Sequence, residues 1–355
     1  MNLHQAPGRR LPERIHGGPD GLGVPLHDFS SNSHACGPCP DALLAIGRAD
    51  PTRYPDPNYT ALRKQLAAFH KVDVQRLVIA ASASEFIFRI TAWFVRQPDR
   101  GQRAVWSPPH GYGDYAQAAR AAGLAVADDA NAAALLWCCD PSSPLGEAHA
   151  GLEELFTSPR NAATPPTVVL DRAYEPLRLD GTLALTDAPL QTAWQLWTPN
   201  KALGLTGVRG AYAIAPAGES GYAAAMALAQ ICPSWPVGSQ GVALLQAWAT
   251  APVQDWLAGS LATLRSWKAR QLALCDSMRW DCRPSQANFF CAEPALPQGV
   301  TLQEMLGRLR TRGIKLRDTA SFGLPGKVRL SVQTPAAQDA LRSAWQNILE
   351  QVNER

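Results

Sequence analysis

Short apolar runs alternate with stretches of helical spacing over most of the chain. Between the runs lie segments such as YAQAARAAG, in which apolar residues recur at helical intervals. Alternation of this kind favours an α/β fold, in which a largely parallel sheet carries helices on both faces. The candidate strands are RAVWS (103–107), AAALLWCC (132–139), TVVL (167–170), WQLWT (194–198) and GAYAIA (210–215).

The pattern changes towards both ends of the chain. The first 45 residues are rich in Gly, Pro, Ser and His and predict an irregular arm. Beyond about Pro236 long helical stretches are followed by the strand-like segments NFFCAE, GIKLRD and KVRLSV. We therefore expect an N-terminal arm (1–45) that contributes to the small domain, a large domain (46–240) and a small α+β domain (241–355).

Composition and charge narrow the class of protein. The 355 residues are 46% hydrophobic and 18% charged, which is typical of a globular protein, and the net charge of +3 gives no support for binding nucleic acid or acidic membranes. No apolar run is long enough to span a bilayer, and no apolar segment of a secretory signal follows the basic N-terminal residues. A cytoplasmic enzyme is expected.

The lone C-x-x-C pair, Cys36 and Cys39, lacks the partners of a metal site.

Several candidate strands end in a polar residue. Asp140 follows LLWCC, and Asp171 follows VVL. Thr198 ends WQLWT shortly before Lys201. Ligands in open α/β sheets bind beyond the carboxyl ends of the strands, so we expect one crevice there. The residues expected to line it are Asp140, Ser142, Ser143, Asp171, Tyr174 and Lys201.

A lysine, an arginine and an aspartate near the ends of these strands together indicate a particular cofactor. A Lys just after a buried strand can become a neutral amine that forms a Schiff base with an aldehyde. Arg209, eight residues beyond Lys201, could bind a phosphate through two parallel hydrogen bonds. Asp171 is placed to pair with a protonated ring nitrogen. Taken singly, each would more often be an ordinary loop residue, but jointly they favour a pyridoxal-phosphate site.

In chain order these motifs resemble the fold-type I pyridoxal-phosphate enzymes of aminotransferase class I/II, and among them the branch of histidinol-phosphate aminotransferase and threonine-phosphate decarboxylase. TPNKALGLTGVR is similar to the family's S-x-S-K-x-x-x-L-x-G-x-R. The resemblance implies that Lys201 forms the Schiff base and that Thr198 and Arg209 hold the cofactor phosphate. Asn200 stands where the family often has Ser. The implied fold is a mostly parallel seven-stranded sheet with a smaller α+β domain.

Other segments extend the resemblance around the cofactor. LDRAYEPL is similar to the family's D-E-A-Y, which makes Asp171 the partner of the ring nitrogen and Tyr174 a donor to the ring's 3′ oxygen. ASASEFIF resembles the phosphate loop, so the backbone N–H groups of Ala83 and Ser84 would bind phosphate at a helix N-terminus. In GYGDY, Tyr112 stands where the family carries the aromatic residue that stacks on the ring.

The resemblance also predicts a partner subunit and a substrate clamp. RYPDPNY is similar to an element whose Tyr reaches the neighbouring subunit's phosphate, which implies a homodimer with Tyr54 contributed across the interface. KLRDTASFGLPGKVRLSV resembles the closing motif. It makes Arg329 the clamp for the substrate α-carboxylate and Arg317 a second anion contact. An Arg alternating with Val and Leu on a strand could equally be solvated.

Two departures concern the reaction that the site performs. DPSSPLG replaces N-P-x-N-P-T-G, so Ser143 stands where an Asn normally donates to the 3′ oxygen, and a Ser hydroxyl donates only one hydrogen. RIHGG, with His16, and HDFSSN resemble N-terminal elements of the decarboxylase, in which His16 would contact substrate. The helix expected after H-G-G is replaced by PDGLGVPL.

The sequence therefore predicts a pyridoxal-phosphate enzyme acting at the Cα of an amino acid, with an aminotransferase ranked ahead of a threonine-phosphate decarboxylase of cobalamin biosynthesis. A ligand-sensing module with the same fold is disfavoured because no basic helical segment precedes the arm. A Rossmann dehydrogenase and a serine hydrolase lack their G-x-G-x-x-G and G-x-S-x-G motifs.

Overall fold

The computed structural model describes residues 16–97, 104–157 and 165–353. The strands are β1 (His27–Asp28), β2 (Leu77–Ala80), β3 (Ala104–Trp106), β4 (Ala125–Ala127), β5 (Leu135–Cys139), β6 (Thr167–Asp171), β7 (Trp194–Trp197), β8 (Ala211–Ile214), β9 (Asp281–Cys282), β10 (Phe289–Glu293), β11 (Ile314–Lys315), β12 (Arg317–Asp318) and β13 (Val328–Ser331). The helices are α1 (Pro40–Arg48), α2 (Thr60–His70), α3 (Ala83–Val95), α4 (Gly113–Ala121), α5 (Glu154–Thr157), α6 (Asp187–Thr192), α7 (Glu219–Gln230), α8 (Ser239–Trp248), α9 (Ala251–Ser277), α10 (Leu302–Thr311) and α11 (Pro335–Asn353).

The large sheet has seven strands in the order β2-β8-β7-β6-β5-β3-β4. Its pairs are parallel except for those of β8, which runs antiparallel to both β2 and β7. Helices cover both faces of this sheet. The predicted α/β fold with a mostly parallel seven-stranded sheet is therefore confirmed.

Strand β7 shows why both faces of the sheet are covered. Trp194 and Leu196 point into one apolar cluster, whereas Trp197 points into another on the opposite face. Because successive side chains of a strand alternate between faces, an apolar strand of this type needs a partner on each side. Full burial of each large apolar side chain contributes roughly 1.5–3 kcal/mol.

The small sheet is antiparallel, with the order β12-β13-β10-β9, and helices α9, α10 and α11 pack beside it. Part of the predicted arm joins this region. The short strand β1 pairs in parallel with β11, and Phe29 is fully buried in the same apolar core as Trp280 and Trp345. The arm is thereby held against the small sheet by both backbone and side-chain contacts.

Two of the domain boundaries proposed from sequence fall inside helices. Position 45 lies within α1, and position 240 lies within α8. These two helices share one apolar cluster beside the large sheet, so a division there would cut the cluster. We propose junctions before Pro40 and after Trp248 instead.

Among the described helices, none combines the length and apolar character that a bilayer crossing requires.

Candidate active site

One edge of the large sheet gathers the functional loops. Strands β3, β5, β6 and β7 are parallel, and β2 runs in the same direction because antiparallel β8 lies between it and β7. Their carboxyl ends therefore meet at one edge, where β8 begins. A cavity of about 560 Å³ lies at this edge. The predicted residues that line it are His16, Ala83, Ser84, Tyr112, Ser143, Asp171, Tyr174, Thr198, Lys201, Arg209, Arg317 and Arg329.

Lys201 follows β7 in a tight turn. Its carbonyl oxygen accepts hydrogen bonds from the backbone N–H of His34 at 3.0 Å and of Gly204 at 3.2 Å. The half-buried side chain places Nζ 5.2 Å from the ring centroid of Tyr174. The amine is thus held inside the cavity, close to the residues that end β6.

Asp171, the last residue of β6, is a buried carboxylate with two hydrogen-bond donors. Oδ1 accepts from the backbone N–H of Ala173 at 2.9 Å, and Oδ2 accepts from the hydroxyl of Tyr115 at 2.7 Å. Burial raises the pKa of Asp171, while these two hydrogen bonds and the charge of Lys201 act in the opposite direction. The site keeps an acid at the back of the cavity that a cationic ring nitrogen would stabilise.

Sequence reasoning missed the role of Tyr115. This residue is fully buried on α4, and its ring stacks on Trp137 at 4.5 Å between centroids. Burial raises the pKa of its phenol well above the usual value, so it remains a hydrogen-bond donor to Asp171. Its position three residues after Tyr112 on a predicted helix was the available signal, because that spacing returns a side chain to the same face.

Tyr174 is held by a second residue whose role the sequence did not reveal. The amide Nδ2 of Asn32 donates to the hydroxyl of Tyr174 at 3.0 Å. Asn32 is buried, and its Oδ1 has no hydrogen-bond partner among the described residues. The ring of Tyr174 also packs edge-on against Phe289 at 4.7 Å. The phenol is therefore oriented from the arm and from the small sheet, with its own proton available for a ligand.

A phosphate-sized cluster of donors lies at the start of α3. Ser82 caps this helix by accepting a hydrogen bond from the backbone N–H of Glu85 at 3.1 Å, which leaves Ala83 and Ser84 in the first turn. First-turn N–H groups lack partners within a helix and favour an anion. Thr198 contributes a buried Oγ1 that has no partner in the described part of the chain.

Arg209 and Tyr112 complete this cluster of donors. Arg209 precedes β8, and because β8 runs against its neighbours, its first residue lies at the edge where the other strands end. The hydroxyl of Tyr112 lies 3.2 Å from Ser84 Oγ. Burial raises the pKa of Tyr112, so it stays neutral beside an anion.

Two arginines form the opposite wall of the cavity. Arg317 and Arg329 are paired residues of β12 and β13. Nη2 of Arg329 donates to the carbonyl oxygen of Ser30 at 2.9 Å, whereas its buried Nε has no partner among the described residues. Burial lowers the pKa of Arg317 to about 10, and the neighbouring charge of Arg329 acts in the same direction. Two adjacent buried guanidinium groups make this wall an attractive place for an anion.

Comparison with known proteins agrees with this geometry. The family model for aminotransferase class I and II matches residues 124–344. The chain belongs to this family. A histidinol-phosphate aminotransferase from Shouchella clausii is 28% identical over 344 residues, which cover 91% of this chain and 89% of that protein. The aminotransferase family is pyridoxal-phosphate dependent, so the predicted enzyme class and cofactor are confirmed.

Solved structures share the fold of this aminotransferase-family chain. The histidinol-phosphate aminotransferase of Sinorhizobium meliloti in complex with pyridoxal-5'-phosphate has a TM-score of 0.72 and 22% identity, covering 91% of this chain and 90% of that one. L-threonine-O-3-phosphate decarboxylase from Porphyromonas gingivalis has a TM-score of 0.74 and 20% identity, covering 91% and 99%.

The residues of this aminotransferase-family site fit pyridoxal phosphate on three counts. The orphaned Oγ1 of Thr198 and the first-turn N–H groups at Ala83 and Ser84 suit its phosphate. The carboxylate of Asp171 suits its ring nitrogen, and the amine of Lys201 suits its aldehyde. The site therefore offers a suitable partner for the phosphate, the ring nitrogen and the aldehyde of pyridoxal phosphate.

The prediction that Asp140 and Ser142 line the crevice is wrong, because neither residue lines the cavity. Asp140 instead forms a buried ion pair with Arg178, and its Oδ2 accepts from the backbone N–H of His149 at 3.0 Å. Cys139, the preceding residue, lines the cavity in its place. Strand alternation directs consecutive side chains to opposite faces, and the sequence alone did not show which face.

Tyr54, which the resemblance assigns to the partner subunit's phosphate, also does not line the cavity of its own chain. It is 79% exposed and stacks on Trp235 with 4.4 Å between ring centroids. Ser143, which replaces the family's usual Asn, does line the cavity and is buried. Ser143 therefore lies where the predicted contact with the cofactor requires it, although its side chain is shorter than that of Asn.

Proposed function

We propose that this aminotransferase-family enzyme transfers the amino group of an amino acid that carries a second anionic group. The observation that carries the proposal is the pairing of Arg329 with Arg317 on one wall of the cavity that holds Lys201. Arg329 would bind the α-carboxylate, since its buried Nε lacks a partner in the described residues. Arg317, together with His16 at the mouth, would bind the second anion.

The remaining residues have separate tasks in this proposal. Pyridoxal phosphate, when bound, supplies an electron-withdrawing ring that takes up the electrons released at the substrate's Cα. Asp171 would hold the proton on the ring nitrogen, and Tyr174 would donate to the 3′ oxygen, where Ser143 would add a contact. Lys201 would hold the aldehyde of the cofactor, and its Nζ, once free, would move the proton at Cα of the substrate. Tyr112 would lie against the ring face.

A specific observation supports a second candidate, an O-phosphothreonine decarboxylase. The segment His16–Gly18 lies against Ser30, whose carbonyl oxygen also accepts from Arg329. At Gly17 an added Cβ would lie 2.2 Å from that carbonyl oxygen, so only Gly permits the contact. The segment therefore lies beside the proposed carboxylate clamp and could orient the carboxylate as the leaving group.

We further propose that the enzyme works as a homodimer in which Tyr54 reaches the partner's phosphate cluster. The support is that the exposed Tyr54 ring stacks on Trp235 and lies outside the cavity of its own chain. A stacked aromatic pair on a surface is suited to cover by another chain. Leu43 and Leu44 of α1 add exposed apolar area, at 48% and 51%.

The two reactions are separated by their products. Purified holoenzyme is supplied with O-phospho-L-threonine alone, and separately with L-glutamate or L-aspartate plus an oxo acid. We expect oxo-acid formation with an amino donor, and loss of both this activity and the visible absorbance band in Lys201→Ala. Lys64→Ala, which changes an exposed lysine, is the matched control.

Carbon dioxide release from O-phospho-L-threonine, without transfer of its amino group, would replace the first candidate by the second. If no amine shifts the visible band, both candidates fail. An unchanged band in Lys201→Ala would contradict the assignment of the lysine itself.

A further inference from the structure

Residues 19–24 form a tight turn in place of the helix that the family resemblance implies after H-G-G. Asp20 and Gly23 exchange backbone hydrogen bonds of 3.3 and 2.8 Å, and Asp20 Oδ1 accepts from the backbone N–H of Leu22 at 2.9 Å. Leu22 and Val24 are 70% and 79% exposed, so apolar packing does little to hold the turn. Polar contacts must therefore hold the turn in position.

Asp20 supplies those contacts through two cations of the small domain. Arg310 of α10 donates from Nε to Oδ2 at 3.0 Å and from Nη2 to Oδ1 at 2.8 Å, a bidentate pairing, and Nη2 also donates to the carbonyl oxygen of Gly23. Lys315 of β11 donates to Asp20 Oδ2 at 3.0 Å and to the carbonyl oxygen of Gly18 at 2.6 Å. One carboxylate therefore joins the turn to a helix and a strand.

The segment just before the turn covers the active-site cavity. His16, Gly17, Gly18 and Pro19 all line it. The backbone N–H of Gly18 donates to Ser30 Oγ at 2.9 Å, on the residue whose carbonyl oxygen accepts from Arg329. Two consecutive glycines have high backbone freedom and no side chains to pack, so neighbouring contacts must hold this cover in place.

We infer that Asp20 is a positioning residue that holds His16–Gly18 across the mouth of the cavity, beside the carboxylate clamp. An isolated exposed ion pair would be too weak for this role. Here one carboxylate is shared by two cations whose side chains are only 12% and 16% exposed, and Lys315 also binds the cover directly. The inference rests on the proposed function, because the cover acts on substrate bound in that site.

The first test measures the cover without any reaction. Asp20→Asn keeps the shape of the side chain and removes its charge. In the holoenzyme we expect hydrogen exchange of the backbone amides of residues 17–24 to quicken about 10-fold. The matched control is Asp339→Asn, on the small domain away from the cavity, where Nη2 of Arg270 donates to both carboxylate oxygens at 2.8 and 2.9 Å. Equal exchange in both variants would overturn the inference.

The second test measures substrate binding through the visible absorbance of the holoenzyme, titrated with O-phospho-L-threonine and with L-glutamate. Asp20→Asn should raise the apparent Kd about 10-fold, Asp20→Glu should restore most of it, and cofactor affinity should stay within about 2-fold. Arg310→Gln should add less to Asp20→Asn than it costs by itself, because two of the three hydrogen bonds from Arg310 to the turn go to Asp20. Full additivity, or a loss of cofactor affinity equal to that of substrate, would refute the positioning role.

The two proposals fail separately. If neither probe changes the wild-type spectrum, the proposed substrate class is wrong, and the exchange experiment alone decides the role of Asp20. If the wild type responds but Asp20→Asn binds both probes like Asp339→Asn, the positioning role is wrong and the proposed function stands.

Discussion

The hydroxyl of Tyr115 donates a 2.7 Å hydrogen bond to the carboxylate of Asp171. The two residues come from α4 and from the end of β6, and both are buried. Burial alone would raise the pKa of Asp171 and favour its neutral form, which cannot neutralise a cationic ring nitrogen. The phenol counteracts burial by donating to the charged form, so Tyr115 favours the ionised form of the acid at the back of the cavity.

Tyr115→Phe should therefore weaken cofactor binding about 10-fold at neutral pH, since a hydrogen bond to a charged group contributes roughly 1.5–3 kcal/mol. Removing this donor raises the pKa of Asp171 further, so binding should fail at a higher pH than in the wild type as the solution is acidified. Visible absorbance during cofactor titration from pH 8 to pH 5 measures both effects.

Tyr59→Phe is the matched control for that prediction. Tyr59 is likewise a buried phenol, which donates to the carbonyl oxygen of Val237 at 2.8 Å and accepts from the backbone N–H of Val237 at 3.0 Å, but it lies outside the cavity. It should lose stability without a change in the cofactor's pH dependence. The same pH shift in both variants would contradict the role of Tyr115.

Arg329 and Arg317 should be separable by substrate. Arg329→Gln removes the proposed α-carboxylate contact, so KM for every amino acid substrate should rise about 100-fold, equivalent to ~2.7 kcal/mol, with little change in cofactor affinity. Arg317→Gln should raise KM mainly for substrates with a second anion. Steady-state kinetics with L-glutamate and L-alanine compare the two classes, and equal losses for both substrates in Arg317→Gln would argue against a second-anion site.

A mixed dimer tests whether Tyr54 acts across an interface. When Tyr54→Ala and Lys201→Ala chains are denatured together and refolded, half of the dimers should be hybrids, and each hybrid should contain one site with both native residues. Activity should recover to roughly a quarter of the wild-type level, because association pairs the chains at random. If Tyr54 served its own chain, no site would contain both residues and no recovery would be seen.

Stability should fall on the acid side through two histidines, of which His34 is buried and His70 half-buried. Burial lowers the pKa of His34 and of His70 to about 4, and the charge of Arg172 also lowers that of His70. The unfolded chain takes up these protons near pH 6.5, whereas the folded chain resists until about pH 4. Between these values each histidine should reduce the free energy of unfolding by at most about 1.4 kcal/mol per pH unit.

Urea unfolding at pH 7.5, 6 and 5 measures that slope. His70→Gln cannot titrate and can still hydrogen-bond to Tyr212, the present partner of His70 at 2.7 Å. Its stability should fall less steeply with acid than that of the wild type. Identical slopes would show that His70 does not contribute.

Much of the fold and part of the site follow from local sequence pattern. The alternation of apolar runs with helical spacing predicted the mostly parallel α/β sheet, and buried strands must have cover on both faces. Asp171 is the last residue of one such strand, and Lys201 lies in the turn that follows the next. Because neighbouring parallel strands end at the same edge, their proximity could be inferred before any coordinates.

Other relationships depend on contacts between distant parts of the chain. Asn32 reaches Tyr174 across 142 residues, and Arg329 reaches Ser30 across 299. No local periodicity carries such information. Asp140 shows the same limit. Its position after a strand predicted a site residue, but its side chain lies on the other side of the strand end and pairs with Arg178.

The sequence by itself determined which chemical groups are present and which of them stand at strand ends, because these depend on residue identity and on repeats of two or three to four residues. The tertiary structure decided which partners those groups meet. Only the antiparallel direction of β8 places Arg209 at the phosphate cluster, and only the approach of α4 to β6 gives Asp171 its phenol. Such contacts arise from packing between elements, which local pattern does not specify.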